Sequence, residues 1–184
     1  MSKRFPIIEP EGRSSVQLSL AERYGILHNV FVHQWFALQK RIGEEFGWDV
    51  ANRLSVEVAD EATPLLAEGY RRKFGLEGEG AALVSQVMQT EFLGEGSEVD
   101  LHHEDRDSAE VDINCTFGAM LQKPKFGRLP VTDGLCEGGC RGWAGDIARS
   151  VDPELRADRL TWMGDGAPVC KFKIWRQPAA ADEP

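Results

Sequence analysis

The 184-residue chain lacks any apolar run approaching the roughly 20 residues that cross a bilayer, and its opening residues, MSKRFPIIEPEGRSS, lack the apolar segment of a secretory signal. The expectation is a cytoplasmic protein with no membrane partner. Positive charge is scarce too: 21 lysines and arginines stand against 30 aspartates and glutamates, a formal net charge of -9. That balance argues against nucleic acid, or an anionic surface, held by charge alone. Neutral or cationic small molecules and proteins remain as partners. Cysteines number only four, and in a reducing compartment their pairing into two structural disulfides is disfavoured. The rest is the composition of a globular domain, 42% hydrophobic and 28% charged, long enough for one sizeable core.

Residues 1–14 and 177–184 are polar or rich in proline and alanine and read as flexible tails around one domain, 15–176. Its first part, 15–95, is helical. Leu20, Tyr24, Leu27, Phe31, Trp35 and Leu38 recur at spacings of three and four and predict a long amphipathic helix ending at Gly43 or Gly47. Asp49 is a candidate N-cap for a second helix, with a kink or break at Pro64 and a stop near Gly75. A third helix is expected from Glu79 to Phe92, ended by Gly94 and Gly96.

From residue 97 the period changes to two. SEVDLHHED and SAEVDINCTF predict a hairpin about residues 104–107, and LRADRLTWMG with PVCKFKIWR a second one about residues 164–168. Between them Thr132 or Asp133 is expected to cap a Cys/Gly-rich helix reaching Ala148. The fold class is α+β: N-terminal helices packed on an antiparallel sheet of about four strands built from two hairpins.

All four cysteines lie in this second part. Strand alternation puts Cys115 on a face with Val111 and Ile113, and Cys170 with Phe172 and Ile174, both toward the helices. Cys136 and Cys140 are four apart on the intervening helix. Gly138 and Gly139 between them, with Gly142 and Gly145 behind, each cost on the order of 1 kcal/mol against alanine. Packing or a bound molecule must therefore stabilise the helix, and glycines let a backbone approach a sheet or ligand closely.

Three readings of the thiols stay open. They can be small buried hydrophobes. They can hold a divalent metal, zinc, manganese or iron, with Asp146, His102 or His103 completing the set, although C-x3-C is only half of a paired zinc knuckle. Or Cys136 or Cys140 can be a nucleophile activated by a helix N-terminus or Arg141, with Asp146 orienting or accepting a proton. Cys115, Cys170, His103 and Trp143 are then candidates to contact the substrate. His103 is favoured over His102 by alternation from Val99 and Leu101. His28 and His33, about 140° apart around their helix, cannot make a one-face metal pair, and Glu57, Asp60 and Glu61 read as a solvated face. The aromatic residues Tyr24, Phe31 and Trp35 read as core.

The runs INCTFGAMLQ, LCEGGCRGWAGDIARSVDPELR and LTWMGDGAPVCKFKI resemble the L-2-amino-thiazoline-4-carboxylic acid hydrolase-like family, which has a strand cysteine, paired helix cysteines and a terminal Gly-Asp-x-x-x-Cys-x-Phe strand. The resemblance covers about residues 108 to 175. It implies a hydrolase opening a small sulfur- and nitrogen-containing ring, with Cys115, Cys136, Cys140, Asp146 and Cys170 at the matching positions. More distantly the chain is similar to 4-vinyl reductase-type domains, which hold small hydrophobic ligands, some with zinc. Those zinc-bearing relatives carry a glutamate and a cysteine shortly before the last cysteine, where this chain has Arg159 and Trp162. The alternative this implies is a non-catalytic small-ligand sensor or an accessory subunit of a larger enzyme. Val30, Val32 and Phe36 beside the main stripe widen the apolar arc of the first helix, so a homo-oligomer is expected.

Overall fold

The computed structural model describes residues 18–178. The segment 1–14, and all but Gln177 and Pro178 of the C-terminal one, lie outside the described residues. Helix α1 spans Leu20–Phe46 and opens on a capping box: the Ser19 hydroxyl accepts from the Glu22 N–H at 3.2 Å, and the Glu22 carboxylate accepts from the Ser19 N–H at 2.7 Å. Gly47, at φ 97°, separates it from α2, Trp48–Phe74. Asp49 lies in the first turn of α2 instead of capping it, because Gly47 already occupies the cap. The helix runs as one element past Pro64 and stops where expected, at Gly75 in the left-handed region. Helix α3, Ala81–Gly94, starts two residues later than expected, after Gly80.

Strands β1 (Glu98–Glu104) and β2 (Ser108–Asn114) form the first hairpin, and β3 (Leu155–Thr161) and β4 (Cys170–Arg176) the second. The sheet is wholly antiparallel in the order β1-β2-β4-β3, with Val111 opposite Phe172 and Ile113 opposite Cys170. Ala109, Val111, Ile113, Cys170, Phe172 and Ile174 are buried on one face, as the period-two pattern requires. They meet Val84, Val87 and Met88 of α3 and Ala144, Ile147 and Ala148 of α5 (Trp143–Val151) in the main core.

A second, smaller core was not legible in the sequence. Helix α4, Thr116–Leu121, begins inside the run read as strand, with Cys115 as its N-cap. Cys115 therefore lies one residue beyond β2, and its sulfur accepts from the Gly118 N–H at 3.4 Å. Phe117, Met120 and Leu121 of α4, with Phe126 and Val131 of the following loop, pack against Val32 and Phe36 of α1. The inward face of α1 is thus Val32, Phe36, Gln39 and Gly43. The stripe read as its core face is largely outside, with Leu20 76%, Leu27 67% and Leu38 58% exposed. In its first half, the Tyr24 hydroxyl donates to the Gly94 carbonyl, His28 lies against Gly96 and Phe31 packs on Phe117, while Leu20 and Leu27 stay exposed.

The Cys/Gly-rich segment is a π-helix over Asp133–Gly142 that continues into α5. Thr132 is itself helical and makes no capping bond. The glycines serve an approach to α2 instead of to the sheet. A Cβ on Gly134 would lie 2.6 Å from the Asn52 Cα, and one on Gly138 would lie 2.2 Å from a Val56 methyl. Gly142 faces no such wall, its nearest neighbour being the Glu137 carbonyl at 3.8 Å. Gly134→Ala is therefore expected to lose about 1–3 kcal/mol of unfolding free energy in urea titration, whereas Gly142→Ala, at helical dihedrals, gains about 0.5–1 kcal/mol. Equal effects of the two would refute the packing argument.

Candidate functional site

Between the two cores lies a pocket of about 340 Å³. Phe31 and Trp35 of α1 and Val58 and Ala59 of α2 form one side, Phe117 of α4 and Trp143 of α5 contribute aromatic wall, and α3 ends at it with Glu91, Phe92 and Glu95. Cys115, Cys136, Cys140 and Cys170 all line it. Cys115 and Trp162 touch both cores, so the pocket is a seam between them. The aromatic residues read as plain core include two of its walls, Phe31 and Trp35.

The pocket brings together the four cysteines and Trp143, and it leaves out Asp146 and His103. Asp146 pairs with Arg149 one turn along α5, and its side chain is 40% exposed. His103 is turned away because a bulge between Leu101 and His103 shifts the alternation of β1; its Nε2 lies 2.9 Å from an Asp105 carboxylate oxygen and 3.0 Å from the Ser108 hydroxyl. His102 meets Asp112 at 3.0 Å across the hairpin. No histidine lines the pocket.

The thiols are held protonated. Burial pushes Cys115 up to about 12, with the Glu95 carboxyl adding to it, and burial pushes Cys140 well above the ordinary thiol value. Burial also raises Cys136 and Cys170, against the opposing influence of the Trp162 indole on the first and the Met163 N–H on the second. A nucleophile needs the opposite shift. The metal reading finds no geometry either: among the described residues no group of three or more His, Cys, Asp or Glu is arranged to hold an ion. Instead the Arg159 guanidinium acts electrostatically on Cys136, Cys140 and Cys170, placing a positive charge beside the thiols.

Arg159 is 6% exposed at its side chain, donates to the Cys136 carbonyl at 2.7 Å and pairs with Glu137. Its guanidinium stacks over the Trp162 ring at 4.8 Å. At the end formed by α3, Glu91 accepts from the Tyr70 hydroxyl, and Glu95 lies one turn farther on. Sequence reasoning passed over both carboxylates. Their only signal was a spacing of four ahead of Gly96, which resembles any solvated helix face.

Burial, and then the Glu91 carboxylate, push the Glu95 carboxyl up to about 7 from an ordinary 4.5. The folded chain then holds more protons than the unfolded one between those values, so this contribution is fully present below about pH 4.5 and is lost as pH rises through 7. Glu95→Gln, which cannot ionise, should be more stable than the parent at pH 8 by up to about 3 kcal/mol and gain far less at pH 5. Urea unfolding at both pH values checks this, and a pH-independent difference would sink it.

No protein-family model matches the sequence, and no curated protein matches it. In fold the chain is similar to the crystal structure of the phenol-responsive sensory domain of the transcription activator PoxR with phenol, at a TM-score of 0.55 and 15% identity over 79% of this chain and 74% of that one. At that identity the likeness is one of architecture, helices laid on an antiparallel sheet.

Proposed function

We propose that this chain is a small-molecule-binding module of the sensor or accessory-subunit kind, whose ligand is a compact, mainly apolar ring seated between the two cores. The observation that carries the reading is the pocket itself, a space of about 340 Å³ walled by aromatic side chains and protonated thiols, with a few polar groups at its ends. A solved structure of the same architecture is described as a phenol-responsive sensory domain, which supports it. A hydrolytic role for Cys140 or Cys136 draws no support from the site, because burial holds both thiols protonated and Asp146 lies elsewhere. Within the reading, the protein works in the cytoplasm, where its thiols stay reduced.

Trp35, Trp143 and Trp162 all line the pocket, so ligand entry should change the intrinsic fluorescence. Titration with phenol and benzyl alcohol is expected to saturate, and Ala59→Phe, which fills the space from α2, should weaken both by at least tenfold while the far-ultraviolet circular dichroism is retained. Absence of saturable binding of either compound to the folded protein would overturn the reading.

The exposed stripe of α1 supports a homo-oligomer, with Leu20, Leu27 and Leu38 covered by a second copy. Light scattering should return at least twice the chain mass, and Leu27→Glu should return one chain mass. A parent protein that scatters as a single chain would remove the proposal.

A further inference from the structure

One end of the pocket carries a buried donor without a strong acceptor in the protein. The Trp162 indole Nε1 is buried without a hydrogen-bond partner. The acceptor nearest to it is the Cys136 sulfur, and a thiol accepts only weakly. An unpaired buried donor is costly and calls for an occupant.

The indole is also fixed in place. The Arg159 guanidinium covers one part of its ring at 4.8 Å, and the Gly164 backbone lies so near that a Cβ there would sit 2.4 Å from the ring carbons. Arg159 is itself held by the Cys136 carbonyl and by Glu137. The direction of the indole N–H is therefore set before any ligand arrives, which avoids an ordering cost on binding.

The charge near this end favours an anion. Arg159 and Arg141 share the single carboxylate of Glu137, two guanidinium groups against one negative charge. Glu91 and Glu95 line the end formed by α3. An anion is thus attracted by the two guanidinium groups and repelled by the Glu91 carboxylate. Indole and guanidinium are donors only, so their complement is a group that only accepts.

We propose that the Trp162–Arg159 end of the pocket is a subsite for the carboxylate of a small ligand whose apolar ring lies against the aromatic walls. The proposal rests on the reading of the pocket as a ligand site and narrows its ligand from an apolar ring to a ring acid. A hydrogen bond to a charged group contributes about 1.5–3 kcal/mol, which corresponds to tenfold or more in affinity.

Calorimetric titration of the full chain with benzoate and with benzyl alcohol, two rings of similar size, separates the two claims. Benzoate is expected to bind at least tenfold tighter. Trp162→Phe should lose at least tenfold for benzoate and less than twofold for benzyl alcohol, and Gly164→Ala, which displaces the indole without removing it, should weaken benzoate in the same selective way. Benzyl alcohol binding as well as benzoate, or both variants weakening the two rings equally, would overturn the carboxylate subsite and leave the pocket reading intact. Failure of both rings to bind the parent protein would overturn the two together.

Discussion

The arrangement of this molecule hangs on one close approach, that of the π-helix Asp133–Gly142 to α2. Side chains at Gly134 and Gly138 would collide with Asn52 and Val56, so the contact exists only because those positions carry none. The approach sets where Cys136 and Cys140 stand. It also holds α2 over the π-helix and α5, leaving the seam between the main core and the smaller α1–α4 core as the pocket. Intrinsic helix propensity opposes this, at on the order of 1 kcal/mol for each helical glycine. Burial against α2 offsets it, and the wide π form belongs with that compromise between local preference and packing.

The sequence conveyed the sheet well and the helical layer less well. Period-two alternation has one consistent answer when a face is buried, and it put Val111, Ile113, Cys170, Phe172 and Ile174 inside correctly. Gly75 ended α2 as its left-handed conformation requires. Alternation failed where the ladder was irregular: the bulge at Leu101 and His103 turned the histidine out, and β2 stopped one residue short of Cys115. On α1 the best-spaced stripe was the wrong face, because spacing reports that a helix is amphipathic and says nothing about which partner is there to cover it.

The site was legible in its cysteines and in Trp143 and illegible in its polar ends. Four thiols from β4, the π-helix and the cap of α4 do converge. What surrounds them decides their chemistry: strongly buried and held protonated, they are polarizable wall atoms more than reagents. Arg159 and Trp162 stood out in the sequence only as departures from a zinc-bearing pattern. In three dimensions they form a stacked pair in the lining of the same pocket that the carboxylates of α3 reach. Arg159 is fixed there by the Cys136 carbonyl and Glu137, contacts far away in the chain that leave no local trace.

The walls of the pocket differ in stiffness. Phe92, Trp143 and Cys170 belong to a close-packed core of helix on sheet, where a displacement of one group must move many. Phe31 and Trp35 belong to a helix anchored mainly through its second half, with Phe31 itself 54% exposed. A cavity with one rigid wall and one yielding wall measures the shape of its guest on one side only. For the proposed ligand this means that a ring pressing outward would meet less resistance from α1 than from the sheet.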